Sequence, residues 1–124
     1  MRQLLRERIK STTNAGNPVD VSLPQIKPGQ AAYITHIALT NASGESVTVL
    51  FGITSQGDFT QIWPKQTVAQ GDAYGAQVTL PLLEGDRLTA RVTGTSLSGP
   101  VTFAAGGELH DNTPDVVTVT EVKS

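Results

Sequence analysis

From Val19 onward apolar side chains recur at every second residue, and that period restricts the chain more than any other feature. Val47, Val49, Phe51 and Ile53 are set off by Ser46, Thr48 and Gly52. Leu88, Ala90 and Val92 alternate with Arg87, Thr89, Arg91 and Thr93, and Val101, Phe103 and Ala105 with Thr102 and Ala104. Successive side chains of a pleated strand point to opposite faces, so this pattern means strands with one buried and one wet face. Val and Thr together supply 28 residues, and β-branched side chains suit a pleated surface. Strands are expected at 19–24, 31–41, 46–54, 58–63, 66–70, 76–81, 86–94, 100–109 and 115–122. Eight or nine short strands predict an all-β fold, an antiparallel β-sandwich or jelly roll.

Turn residues agree. Gly57-Asp58, Gly71-Asp72 and Gly85-Asp86 recur every fourteen residues, and Gly99-Pro100 follows at the same interval. The segments between them share no other pattern, so this is strand-and-turn spacing in an antiparallel meander, not a true repeat.

The N-terminus differs. Residues 1–10 carry Arg2, Arg6, Arg8 and Lys10 against Glu7, a net +3, while the remaining residues carry five bases and ten acids, a net −5. Such polarity is typical of an arm that docks on something acidic. A short helix is expected over 2–10, with Leu4, Leu5 and Ile9 on one side beside the row Arg2, Arg6, Lys10. Residues 11–18 read as a tether ended by Pro18. The expected divisions are therefore a helical or extended arm and tether (1–18), a β-sandwich body (19–110) and a C-terminal strand or tail (111–124). In that tail Val116-Val117-Thr118-Val119-Thr120 has high β-propensity and weak face preference. It is suited to completing its own sheet or adding to a neighbour's.

Several chemistries are argued away. Without cysteine there are no disulfides, thiolate nucleophiles or sulfur-ligated metals, and two histidines are too few for a three-histidine metal site. No metal site or cofactor is expected. The charged opening lacks the apolar run of an export signal, and no stretch approaches a membrane span. Synthesis in a cytoplasm is expected, and Asn41-Ala42-Ser43 then carries no meaning as a glycosylation acceptor. Asp58, Asp72 and Asp86 are expected to cap turn amides, although turns converging at one end of a sandwich would offer calcium ligands. His36 is expected to share a strand face with Ile34 and Ala38, and His110 to lie solvated in a C-terminal hinge. No serine has a nucleophile-elbow context and no glycine-rich loop has a following lysine and helix. The expectation is a protein without catalytic residues.

Sugar binding is the rival reading, because it needs flat aromatic platforms and Tyr33, Trp63 and Tyr74 are the candidates for ligand or interface contact. Nucleic acid is disfavoured by the acidic body.

Residues 28–53 run from Pro28-Gly29 through Asn41-Ala42-Ser43-Gly44 into a second alternating strand, followed later by Leu80-Pro81-Leu82-Leu83-Glu84-Gly85-Asp86-Arg87-Leu88 and Gly106-Gly107-Glu108-Leu109. These elements, spanning about residues 28–109, resemble those of small β-sandwich virion proteins of tailed bacteriophages. The resemblance implies a structural role on the particle: capsid decoration first, with a neck or tail accessory protein as the alternative. It implies a virion location after synthesis in the host cytoplasm, and as partners the major capsid protein or another virion protein. A homo-oligomer is expected, with a trimer favoured. The residues expected to make the attachment are Arg2, Leu4, Leu5, Arg6, Arg8, Ile9 and Lys10, the arginines steering electrostatically.

Overall fold

A computed structural model describes residues 2–14, 16–94 and 99–111. All its elements are strands: β1 (Arg2–Thr12), β2 (Pro18–Ser22), β3 (Gln30–Asn41), β4 (Val47–Ser55), β5 (Asp58–Gln61), β6 (Gln66–Val68), β7 (Ala73–Leu82), β8 (Asp86–Thr93) and β9 (Pro100–Asp111). They form two antiparallel sheets, the first in the order β1-β9-β3-β7 and the second in the order β2-β8-β4-β5, with β6 also paired to β4. The chain changes sheet at almost every step. Only β4, β5 and β6 follow one another in the same sheet, so the expected meander is replaced by jelly-roll wrapping. The fourteen-residue interval marks crossovers as well as a hairpin. Gly57, Gly71 and Gly85 all adopt positive φ, which glycine takes without steric cost.

The alternating residues meet between the sheets. Phe51 and Phe103 lie 5.8 Å apart at the centre, surrounded by Ile34, Ile37, Leu39, Leu82, Leu88, Val21, Val49, Val92 and Val101, all buried. At one end Asn41 is fully buried. Its amide donates to the carbonyls of Glu45, Val68 and Ala69, and its side-chain oxygen accepts from the Ser43 amide and hydroxyl. This fully bonded knot ties the β3–β4 turn to the end of β6. Along one open side, Trp63 Nε1 donates to the Tyr74 hydroxyl at 2.7 Å, and Tyr74 stacks on Phe51. That latch joins the loop after β5 to the edge strand of the other sheet.

The helix expected over 2–10 is a strand. β1 pairs with β9 in unbroken register from Arg2–His110 to Thr12–Pro100. A nine-residue helix gains little in water, whereas here the edge of β9 offers a ladder. Thr13 fixes the end: its amide donates to the Gly99 carbonyl and its hydroxyl accepts from the Gly99 amide. The strand expected at 115–122 lies outside the described residues.

Candidate docking face

The two sheets present different outer surfaces. On the second sheet, Phe59 folds over Gly52: a Cβ at Gly52 would lie 2.8 Å from the ring and would collide with the Thr60 carbonyl. Arg91 sits 4.2 Å from the centroid of Phe59 and donates to both carboxylate oxygens of Asp20, at 2.7 and 3.0 Å. That hydrogen bond holds the Arg91 guanidinium above its ordinary pKa. Thr89 is buried, its hydroxyl within 2.9 Å of Ser22 and 2.7 Å of Thr54. The chain covers and satisfies this face by itself.

On the first sheet the outward residues fall in rows. Leu4 stands opposite Glu108, which stands opposite Tyr33 and then Pro81. The next row is Arg6, Gly106, His36 and Gln77; then come Arg8, Ala104, Ala38 and Gly75; then Lys10, Thr102, Thr40 and Ala73. The middle of the face is thus nearly bare of side chains. Gly75 and Gly106 are not required by their own surroundings, since a Cβ at either would make only ordinary contacts, 3.8 Å from the Ile37 carbonyl and 3.6 Å from the Leu5 carbonyl. Glycine weakens a strand interior, and where the fold does not demand it, it often marks close approach by another surface. At one end Leu4, Tyr33 and Leu83 are exposed, Leu4 at 71%. Along one side Arg6, Arg8 and Lys10 are exposed and make no ion pair among the described residues.

The residues expected to form one attachment stripe are divided by the pleat. Leu4, Arg6, Arg8 and Lys10 face outward, while Leu5 and Ile9 lie on the inner side by register, Leu5 half-buried against the core and Ile9, opposite Phe103, still exposed. The backbone of Arg2 pairs with His110. The signal was in the sequence: cations at 6, 8 and 10 have period two. The aromatics divide as well. Trp63 and Tyr74 form the latch between the sheets, and Tyr33 stands apart, edge-on to His110 at 5.2 Å.

Both histidines require correction. Register slips at Thr35 in both pairings of β3: against β9 it is β3 that carries one extra residue between Ile34 and His36, and against β7 the extra residue lies on β7 between Gln77 and Leu80. Ile34 and Ile37 both point inward and His36 is exposed on the outer face, away from Ile34. Gly107 permits the bulge, because a Cβ there would collide with the Tyr33 carbonyl. His110 is not in a hinge; it is half-buried in β9, its Nε2 3.2 Å from Glu108. Of the turn carboxylates, Asp86 accepts from the Leu83 amide and Glu84 from the Gly29 amide. Among the described residues no three His, Asp or Glu side chains gather as a metal site, and no helix is long and apolar enough to cross a membrane.

A cleft of about 330 Å³ opens between the inner side of β1 and the segment after β2, lined by Leu5, Leu23, Ile26 and Leu109 together with Gln3, Glu7 and Lys27.

No family model matches the sequence, and no curated protein is similar to it in sequence. Several solved structures share its fold. The coat protein of Tobacco streak virus superposes with a TM-score of 0.52 at 10% identity, covering 99% of this chain and 95% of that one. A protein of Bacillus endospore appendages, which form disulfide-linked pili, gives 0.50 at 14% identity, covering 90% of each chain. PirA gives 0.58 at 9% identity, covering 79% of this chain and 92% of that one. At such identities the likeness is one of fold: a two-sheet β-sandwich found in coat and pilus subunits and elsewhere.

Proposed function

We propose that this chain is a non-enzymatic structural subunit of a bacteriophage virion, a capsid decoration protein that docks on the major capsid protein or a neighbouring copy of itself. The observation that carries the reading is the contrast between the two outer faces. One is roofed by Phe59 and Arg91. The other combines a flat glycine and alanine floor, Arg6, Arg8 and Lys10 without an ion pair among the described residues, and an exposed Leu4 and Tyr33 at one end. Interfaces favour that combination: an apolar anchor excludes water, while arginines fix orientation and speed encounter. The fold shared with a virus coat protein and a pilus protein supports the reading at the level of architecture. Lacking cysteine, this chain would hold its neighbours by surface contact, not by disulfides.

Virion incorporation is the test. A tagged chain is expressed in the infected host, and purified virions are assayed for it by mass spectrometry beside the Arg6→Glu, Arg8→Glu double variant. Incorporation of the unchanged chain and loss of the double variant are expected; virions that never contain the unchanged chain would overturn the proposal. Charge reversal is preferable to deleting residues 1–18, because that deletion removes a whole sheet strand along with the cations.

A further inference from the structure

We propose that the groove between β1 and β3 on the bare face is a carboxylate slot. It seats one Asp or Glu side chain of a protein partner over Gly106, with Arg6 and Arg8 on one side and His36 on the other. This rests on the docking reading above and names the chemistry that the partner must present.

The register makes the slot. Arg6, Gly106 and His36 stand in one row across three neighbouring strands. Arg6 and His36 are thus two strand spacings apart, roughly 9–10 Å between backbones, and the residue between them has no side chain. Arg8 adds a second guanidinium one row on, beside Ala104. The groove so formed measures about 560 Å³.

Two independent features single it out. First, the bulge at Thr35 is what brings His36 into the row; without it His36 would fall on the same side as Ile34. Bulges commonly re-aim a side chain in this way. Second, Arg6 and Arg8 make no ion pair among the described residues. From β9 the slot receives only Ala104, Ala105 and Gly106, and β7 places the uncharged Gln77 opposite His36. Glu7, the one acid lining the groove, comes from the inner side of β1. Glu108, the acid on the adjoining row, is engaged with His110.

A guanidinium fork matches a carboxylate, and the partner is a protein surface because the cations are few. Nucleic acid needs a track of phosphate contacts, whereas this face offers a short strip on a chain of net charge −2.

Binding can be read by amide chemical shifts of the full chain, titrated with a blocked hexaglutamate peptide, with inorganic phosphate and with a short single-stranded oligonucleotide. Shifts should concentrate at Arg6, Arg8, His36, Ala104 and Gly106. Gly106→Val, whose Cβ meets only ordinary contact in its own fold, should fill the slot and weaken the peptide at least about tenfold. Gly75→Val, on the same face outside the groove, should leave affinity unchanged. Scattered shifts, or affinity indifferent to Gly106→Val, would overturn the slot. So would phosphate binding as well as the peptide, which would indicate an adventitious ion only, or an oligonucleotide binding better. Self-association, read separately by light scattering, tells the two readings apart. If Gly106→Val associates normally and Arg6→Glu, Arg8→Glu does not, the slot fails and the docking face stands.

Discussion

Gly52 and Gly106 occupy similar places, each within a strand that has neighbours on both sides, yet their surroundings differ. Above Gly52 the chain lays down its own Phe59, and Arg91 stacks on that ring while gripping Asp20. Among the described residues nothing comparable covers Gly106, whose added Cβ would lie in ordinary contact with the Leu5 carbonyl of the adjacent strand. One face is finished from within, and the other is left flat, cationic along β1 and apolar at one end. Intrinsic strand propensity would fill both positions with β-branched residues. At Gly52 the reason for glycine lies inside the molecule; at Gly106 the described residues require none, and the proposed docking supplies one.

Valine substitutions break the comparison most directly. Gly52→Val should collide with Phe59 and the Thr60 carbonyl and cost about 3 kcal/mol or more in urea unfolding, as overpacking does. Gly106→Val should change stability by less than about 1 kcal/mol, in either direction, since it removes a flexible residue and adds strand propensity. Equal losses at the two positions would remove the distinction between the faces. Next in size, Arg6→Glu with Arg8→Glu should lower partner or self-association about tenfold or more, roughly 1.4 kcal/mol, and weaken its salt dependence while leaving the melting temperature nearly fixed. On the finished face, Thr89→Val should cost about 1 kcal/mol, because it removes the hydroxyl joining Ser22 to Thr54. Smallest of all, Arg91→Ala should cost less than about 1 kcal/mol, because the Arg91–Asp20 pair is more than one-third exposed and screened by solvent. It should leave association unaltered.

The body of the fold was legible because Val, Phe and Leu alternate strictly in β4, β8 and β9, and burial on one face enforces that period. β1 was misread for a physical reason. Leu4, Leu5 and Ile9 satisfy a helical stripe, while Arg6, Arg8 and Lys10 satisfy a strand, and only the free edge of β9 decides between them. Wrapping order was hidden as well, since a glycine–aspartate turn looks alike whether it closes the β4–β5 hairpin or leads from β7 in one sheet to β8 in the other. The docking face was half visible. Its cations were singled out from charge alone, but their companions Gly106 and His36 came into view only through the bulge at Thr35, which no local pattern announces. Asn41 is the converse case: its match to a glycosylation acceptor carries no meaning, yet it is a fully buried, fully bonded polar group at the β3–β4 end.

Because the chain has no cysteine, a single introduced thiol reports one position cleanly. Ala104→Cys places it in the middle of the bare face and Thr48→Cys on the opposite sheet. Thiol-labelling rates should be measured across the concentrations at which light scattering registers association, or with capsids added. The thiol at position 104 should become protected on association while that at position 48 keeps its rate. Protection at 48 with 104 still fully reactive would contradict the assignment of the docking face.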